Sequence, residues 1–153
     1  MKIEIPNIND LEKINNLAQQ IHELHVGWRP DLFISVENII IKEYFIELIN
    51  EKRIYVSKID DIIVGYIIYS IKEKINPSMR YRKQLDIEVL CVDEEYRGRG
   101  IGTKLLDFIK TIAIDNNCTD LYLTVNEENK NAIHVYEKYG MKVKNIAYSM
   151  QIK

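Results

Sequence analysis

The stretch from Leu85 to Thr103 constrains the fold more than any other part of the chain. Val89, Leu90, Cys91 and Val92 form a continuous apolar run that reads as a central strand covered on both faces. The run passes through Asp93, Glu94, Glu95 and Tyr96 into Arg97, Gly98, Arg99, Gly100, Ile101 and Gly102, after which Ile101, Leu105, Phe108, Ile109 and Ile112 recur at helical spacing. A strand, a glycine turn and a helix in that order set the free amides of a helix N-terminus beside a rigid strand end. Those amides and the helix dipole favour an anion. Glycines at alternate positions let the backbone take positive φ and approach a ligand closely, and Arg97 and Arg99 add charge at the rim, which suits a pyrophosphate.

Two familiar phosphate loops fail against the same letters. The dinucleotide fingerprint needs its third glycine where Thr103 stands, one residue after Gly102. The P-loop needs Lys directly after the glycine, whereas Gly102 is followed by Thr103 and then Lys104.

At 153 residues the chain fits one domain, residues 1–153, with one real core. Its 21 basic and 23 acidic residues leave no electrostatic footprint for nucleic acid or anionic lipid. No apolar run approaches a membrane span and the first residues, Met1 to Pro6, lack a signal-peptide pattern, so a cytoplasmic protein is expected. Cys91 and Cys118 read as reduced, packed thiols, and His22, His25 and His134 have no metal spacing, so no metal is expected.

Periodicity gives a mixed order of elements. Ile3 and Ile5 mark a short strand, and Asp10 is placed to cap a helix carrying Leu11, Ile14, Leu17, Ala18, Ile21 and Leu24. A loop with Trp28, Arg29, Pro30 and Asp31 leads to a helix expected over Val36–Asn50. Arg53–Ile59 and Ile63–Ile71 read as a hairpin turning at Asp60 and Asp61. Asn76–Lys83 reads as a loop, Leu85–Val92 as a strand, and Leu121, Leu123 and Val125 as another. Asn129–Tyr139 reads as a helix stopped by Gly140, and Ala147–Ile152 as a closing strand.

Arg97, Gly100 and Gly102 match the Arg/Gln-x-x-Gly-x-Gly/Ala acyl-CoA signature, and the chain resembles the GNAT superfamily of N-acyltransferases. The likeness runs upstream through Leu90–Tyr96 and downstream through Asn129, Ala132, Tyr136, Glu137, Tyr139, Gly140 and Met141, where Met141 replaces the family's usual Phe. The resemblance implies an α+β, three-layer α/β/α fold with a mixed, mostly antiparallel central sheet, and acetyl-CoA-dependent transfer to an amine.

It also implies roles. The amides of Arg97, Gly98, Arg99, Gly100, Ile101, Gly102 and Thr103 hold the pyrophosphate of acetyl-CoA, with Asn129 nearby. The backbone of Leu90, Cys91 and Val92 pairs with pantetheine, and an amide there, such as that of Cys91, serves the oxyanion. Tyr136 matches the general acid for the thiolate, whose proton transfer a phenol near pKa 10 makes feasible. Glu88, on the same strand side as Asp86 by period-two alternation, is the candidate base; the competing role is an ion pair with Arg80 or Arg82. The Glu by which an N-terminal-acetylating subset does this work is replaced here by Thr124. Cys91, in a strand without a paired histidine, is a poor nucleophile. Trp28, Arg29, Asp31 and Phe33 fall where the family's acceptor loop lies, and Asp31, Asp86 and Glu88 suit a cationic amine such as a polyamine, lysine side chain or aminoglycoside. A homodimer through the late strands would bring Tyr148 and Met150 near an interface. The alternative is a CoA-binding module that transfers nothing.

Overall fold

The computed structural model describes residues 1–153. Its strands are β1 (Lys2–Glu4), β2 (Ile54–Ile59), β3 (Ile62–Lys74), β4 (Arg82–Val92) and β5 (Asp120–Tyr122), and its helices α1 (Leu11–Trp28), α2 (Lys42–Asn50), α3 (Ile101–Asp115) and α4 (Lys130–Tyr139). The sheet follows chain order, β1-β2-β3-β4-β5, antiparallel throughout except for the parallel β4–β5 pair.

Two apolar layers lie on the two faces. Ile14, Leu17 and Ala18 of α1 and Phe45 and Leu48 of α2 pack on Ile54, Val56, Tyr66, Ile68 and Cys91. Ile101, Leu105, Leu106 and Ile109 of α3 cover Val64, Ile67, Leu85 and Ile87, and α4 joins them through Val135, Tyr136 and Tyr139. The expected three-layer α/β/α arrangement is therefore observed, with β3 and β4 as the doubly covered strands.

Several boundaries differ from the sequence reading. Asp10 does not cap α1: its carboxylate accepts from the Asn7 amide at 2.8 Å, closing a capping box on a short 3-10 turn that leads into the helix. α2 begins at Lys42, not Val36, because Asn38 takes a left-handed φ of 53° and the side-chain amide of Asn15 pins Ile40, its Nδ2 donating to the Ile40 carbonyl at 2.9 Å and its Oδ1 accepting from the Ile40 amide at 2.8 Å. Arg82 and Lys83, expected in a loop, belong to β4, since the β3–β4 hairpin continues to the pair Lys74–Arg82. No closing strand forms at Ala147–Ile152; beyond Met141 no residue exchanges a main-chain bond with the rest of the chain. No helix is long and apolar enough to cross a membrane.

Candidate active site

Between β4 and β5 the sheet opens. The strands pair at Gln84–Asp120, Leu85–Leu121 and Asp86–Tyr122 and then separate, leaving the β5-facing side of Glu88–Val92 without a ladder partner. The register of β4 against β3 also shifts here: Ile68 faces Val89 and Tyr69 faces Ile87, so Glu88 is an extra residue, a bulge.

The bulge sets which backbone groups face the opening. The Asp93 amide donates to the Val64 carbonyl at 2.9 Å. Alternation along an antiparallel ladder turns the Cys91 amide towards β3 as well and leaves those of Leu90 and Val92 facing the slot. The Cys91 amide, expected as the main-chain donor, is therefore turned away from the slot, and those of Leu90 and Val92 are the ones that face it. The Cys91 side chain is also occupied, packed beside the Leu17 carbonyl at 3.4 Å with burial pushing its thiol up to about 12.

The turn after β4 is braced from several sides. Asp93 is buried and accepts from the Glu95 amide at 3.2 Å, with Lys13 and Gln20 each 3.4 Å away. Burial opposes its charge, but the Glu95 amide, Gln20 and Lys13 together hold its carboxyl below the ordinary range. Arg97 donates back to the Val92 carbonyl at 3.1 Å, and Arg99 donates to the Glu95 carbonyl at 3.0 Å while lying over the Tyr96 ring. Both guanidiniums thus stiffen the turn as well as charging its rim.

No main-chain carbonyl accepts from the amides of residues 97–103, and the first bond of α3 runs from Lys104 to Gly100. Gly98 and Gly100 take φ of 75° and 78°, and Gly102, expected to share that freedom, is an ordinary helical residue. A Cβ on Gly102 would meet only ordinary contacts, 3.8 Å to Leu90 and 3.9 Å to Val92. The protein leaves room there, as close approach of a phosphate requires. A run of unpaired amides at the positive end of a fifteen-residue helix fits the pyrophosphate of a CoA thioester.

Tyr136 projects from α4 into the layer beneath the slot, half-buried, and its hydroxyl has no protein hydrogen-bond partner. Burial raises its phenol, with a smaller push from the Cys91 thiol. Its rival Tyr139 is committed elsewhere: the hydroxyl donates to Asp107 of α3 at 2.8 Å, and burial plus that carboxylate push the phenol up to about 12. Asn129 is the N-cap of α4, its side-chain oxygen accepting from the Ala132 amide at 3.2 Å, so its structural role is established locally.

Across the opening, Glu88 faces α2. Arg53 reaches its two oxygens at 3.3 and 3.4 Å and the Tyr44 hydroxyl lies 3.4 Å from one of them. The expected partners Arg80 and Arg82 are not used; Arg82 sits 3.5 Å from Asp120. Asp86 is buried, bonded by Gln84 and paired with Lys72 at 3.0 Å. Arg53 and Tyr44 were invisible in the sequence because they reach Glu88 from other elements, 35 and 44 residues away.

In the loop after α1, Arg29 forms a two-pronged pair with Asp31 at 2.9 and 2.7 Å, and the Glu127 charge beyond β5 also acts on it. Phe33 stacks on His25 at 5.3 Å and Trp28 tilts against the same ring at 5.6 Å. Phe33 thus anchors the loop to α1, whereas Trp28, expected in the loop, is the last residue of α1 itself. All three carboxylates read as attracting a cationic amine, Asp31, Asp86 and Glu88, already have a cation beside them. No group of three or more metal-ligating side chains assembles.

A mixed sheet parted beside an amide-lined helix start defines an acyl-CoA-binding N-acyltransferase fold. The chain belongs to the acetyltransferase (GNAT) family, whose model matches residues 14–141. It is 33% identical over 78 residues to thialysine N-epsilon-acetyltransferase of Bos taurus, covering 51% of this chain and 44% of that protein. Similarity to the N-alpha-acetyltransferase of Saccharolobus solfataricus is 32% over 105 residues, covering 65% of this chain and 63% of the relative. The chain thus spans less than two thirds of either relative. A solved mutant of a Bacillus halodurans protein, 27% identical, superposes with a TM-score of 0.94 over 100% of both chains, the residues after Gly140 included.

Proposed function

We propose that the protein is an N-acetyltransferase that moves an acetyl group from acetyl-CoA to an amine within a ternary complex. The observation that carries this reading is the run of unpaired amides at residues 97–103, opening directly into the slot beside Leu90 and Val92. Bound there, acetyl-CoA supplies the acetyl group as a thioester. The amides of Leu90 and Val92 pair with the pantetheine arm and receive the carbonyl oxygen as it gains charge, where one such donor contributes about 3 kcal/mol. Glu88, at the bulge and partly exposed, takes the proton of the attacking amine directly or through water. Tyr136, with a free hydroxyl, returns a proton to the departing thiolate. No covalent enzyme intermediate is needed, and the raised Cys91 thiol supports that.

The acceptor is a small-molecule amine or a peptide amine, entering past Trp28–Phe33, whose Arg29 lies within reach of the Glu127 charge beside the slot. Two free cysteines support a reducing compartment such as the cytoplasm. The test is CoA release from acetyl-CoA with an amine panel, for wild-type and Tyr136→Phe protein, alongside direct acetyl-CoA binding. Turnover that falls sharply in the variant while binding holds supports the reading; tight binding without turnover on any amine favours a module that binds and does not transfer.

A further inference from the structure

The sheet face that carries Glu88 changes character along β4. Gln84, Asp86 and Glu88 lie on the α1–α2 side, whereas Leu85 and Ile87 pack under α3. The apolar layer beneath α1 and α2 ends at the Ile68–Val89 pair, and outward from there the facing pairs on the same side are Ser70–Asp86, Lys72–Gln84 and Lys74–Arg82. Each carboxylate on this face is already held, Glu88 by Arg53 and Asp86 by Lys72 at 3.0 Å and by the amide of Gln84.

At the outer end, the β3–β4 hairpin, its turn and the segment after α4 enclose a recess of about 340 Å³. Lys74, Arg80, Arg82 and Lys144 line it against a single carboxylate, Glu73, and Gln84, only 2% exposed, lies in its wall. Lys74, Arg80 and Lys144 enter no ion pair, and Arg82 reaches Asp120 only at 3.5 Å. Cations gathered from three segments with so little to answer them repel one another, and an anion among them relieves that repulsion. Ile75 and Met79 also line the recess and are largely exposed, offering surface against which a carbon chain can lie. Lys144 joins the recess to the slot: its ammonium is 5.3 Å from the ring of Tyr122, which pairs with Asp86 at the point where β4 and β5 part.

We propose that this recess is the outer end of the acceptor site and takes a carboxylate or phosphate carried by the amine itself. The proposal rests on the acetyltransferase reading and narrows its acceptor. Gln84 and Glu88 are four residues apart on one strand, about 13 Å, so the anionic group stands about 10–15 Å from the reacting nitrogen. The planar forks of Arg80 and Arg82 match either anion, and Lys74 and Lys144 add point charges around it. An amine with a second cation at the far end, such as a linear polyamine, meets like charge there and is rejected.

The test compares acceptors that differ only at the far end: ω-amino carboxylates of graded chain length, the matching ω-aminoalkyl phosphates, the uncharged ω-amino amides and the α,ω-diamines. With wild-type protein, kcat/KM is expected to peak at the chain length that spans the slot and the recess, and there to favour the better anion over the amide by at least about tenfold, with the diamine poorest. Which anion leads distinguishes carboxylate from phosphate recognition. An Arg80→Glu, Lys144→Glu double variant, altered outside every strand and helix, is expected to shift the anion-to-diamine preference at least about 100-fold towards the diamine. Calorimetric titration of the same compounds reads the same order without turnover. A protein that acetylates none of them but binds the anionic amines, and loses them in the double variant, would forfeit the acetyltransferase reading and keep the anion recess. Equal use and equal binding of anion, amide and diamine, a preference that survives in the double variant, or inorganic phosphate that binds without displacing the amino carboxylate overturns the proposal.

Discussion

The Arg53 guanidinium lies 3.3 Å from one oxygen of Glu88 and 3.4 Å from the other, bridging the start of β2 to the bulge of β4. Arg53 is itself fixed, donating to the Tyr69 carbonyl at 2.9 Å and to Glu51 at 2.8 Å. Glu88 is therefore a carboxylate in a defined position at the mouth of the slot. For a general base in that place, Glu88→Gln is expected to lower kcat about 10²-fold or more with acetyl-CoA affinity unchanged. A kcat within twofold of wild type would leave Glu88 a structural partner of Arg53.

The pH profile tests Tyr136. A general acid works only while protonated, and burial raises this phenol above its ordinary value of 10.0. The proton is therefore retained through neutral and moderately alkaline pH, and no falling limb in kcat from Tyr136 is expected below about pH 10. Tyr136→Phe should lower kcat about 10²- to 10⁴-fold at every pH in that range. A falling limb near neutrality that vanishes in Tyr136→Phe would contradict the assignment.

Gly102 and Gly100 separate ligand approach from backbone strain. Gly102 is helical with ordinary space for a Cβ, so Gly102→Ala should raise stability by about 1 kcal/mol, as alanine does in a helix. With the pyrophosphate held at residues 97–103 as proposed, the same methyl narrows its approach, so the dissociation constant for acetyl-CoA should rise at least about tenfold. Gly100 sits at φ 78°, and Gly100→Ala should cost about 1 kcal/mol of stability through strain. Thermal unfolding and calorimetric titration of both variants read the two effects; a Gly102→Ala protein that binds acetyl-CoA as tightly as wild type would move the pyrophosphate elsewhere.

The strand, turn and helix at the centre were legible because each is written locally: apolar run, glycines, helical period. So were α4 and its Gly140 stop, since the αL C-cap with φ 103° is what a glycine there provides. What escaped was decided between elements. Glu88's partners come from α2 and from the residue before β2, and the direction of the Cys91 amide depends on a bulge that period-two counting steps over. The tail failed for another reason: Tyr148, Met150 and Ile152 carry a strand pattern that their own sheet does not use.

Asp93 ties the phosphate turn to acid stability. Its carboxyl is held below its ordinary value of 3.8 in the folded chain, so it contributes stability above that pH and loses it as pH falls through the lower folded value. Asp93→Asn should reduce stability at neutral pH and flatten the fall in stability below about pH 4, as followed by denaturant unfolding across pH. A variant whose acid limb parallels the wild type would show that other carboxylates carry it.

Gly65 tests the packing on which the slot rests. A Cβ built on it would lie 2.8 Å from the Cys91 carbonyl oxygen and 2.9 Å from Ser57 Oγ, the first of which is backbone and cannot rotate away. Gly65 pairs with Val92, so its side-chain-free face lets β3 and β4 close up at the strand end that feeds the phosphate turn. Gly65→Ala should cost about 1–3 kcal/mol as overpacking, lowering Tm by about 2–4 °C for each kcal/mol in a chain of this size. Because any shift of β4 also moves Leu90 and Val92, acetyl-CoA affinity should fall with it. Gly102→Ala weakens binding while stability rises, so the two glycines are distinguished by the sign of the Tm change, and an undiminished Tm in Gly65→Ala would mean that β3 and β4 yield without cost.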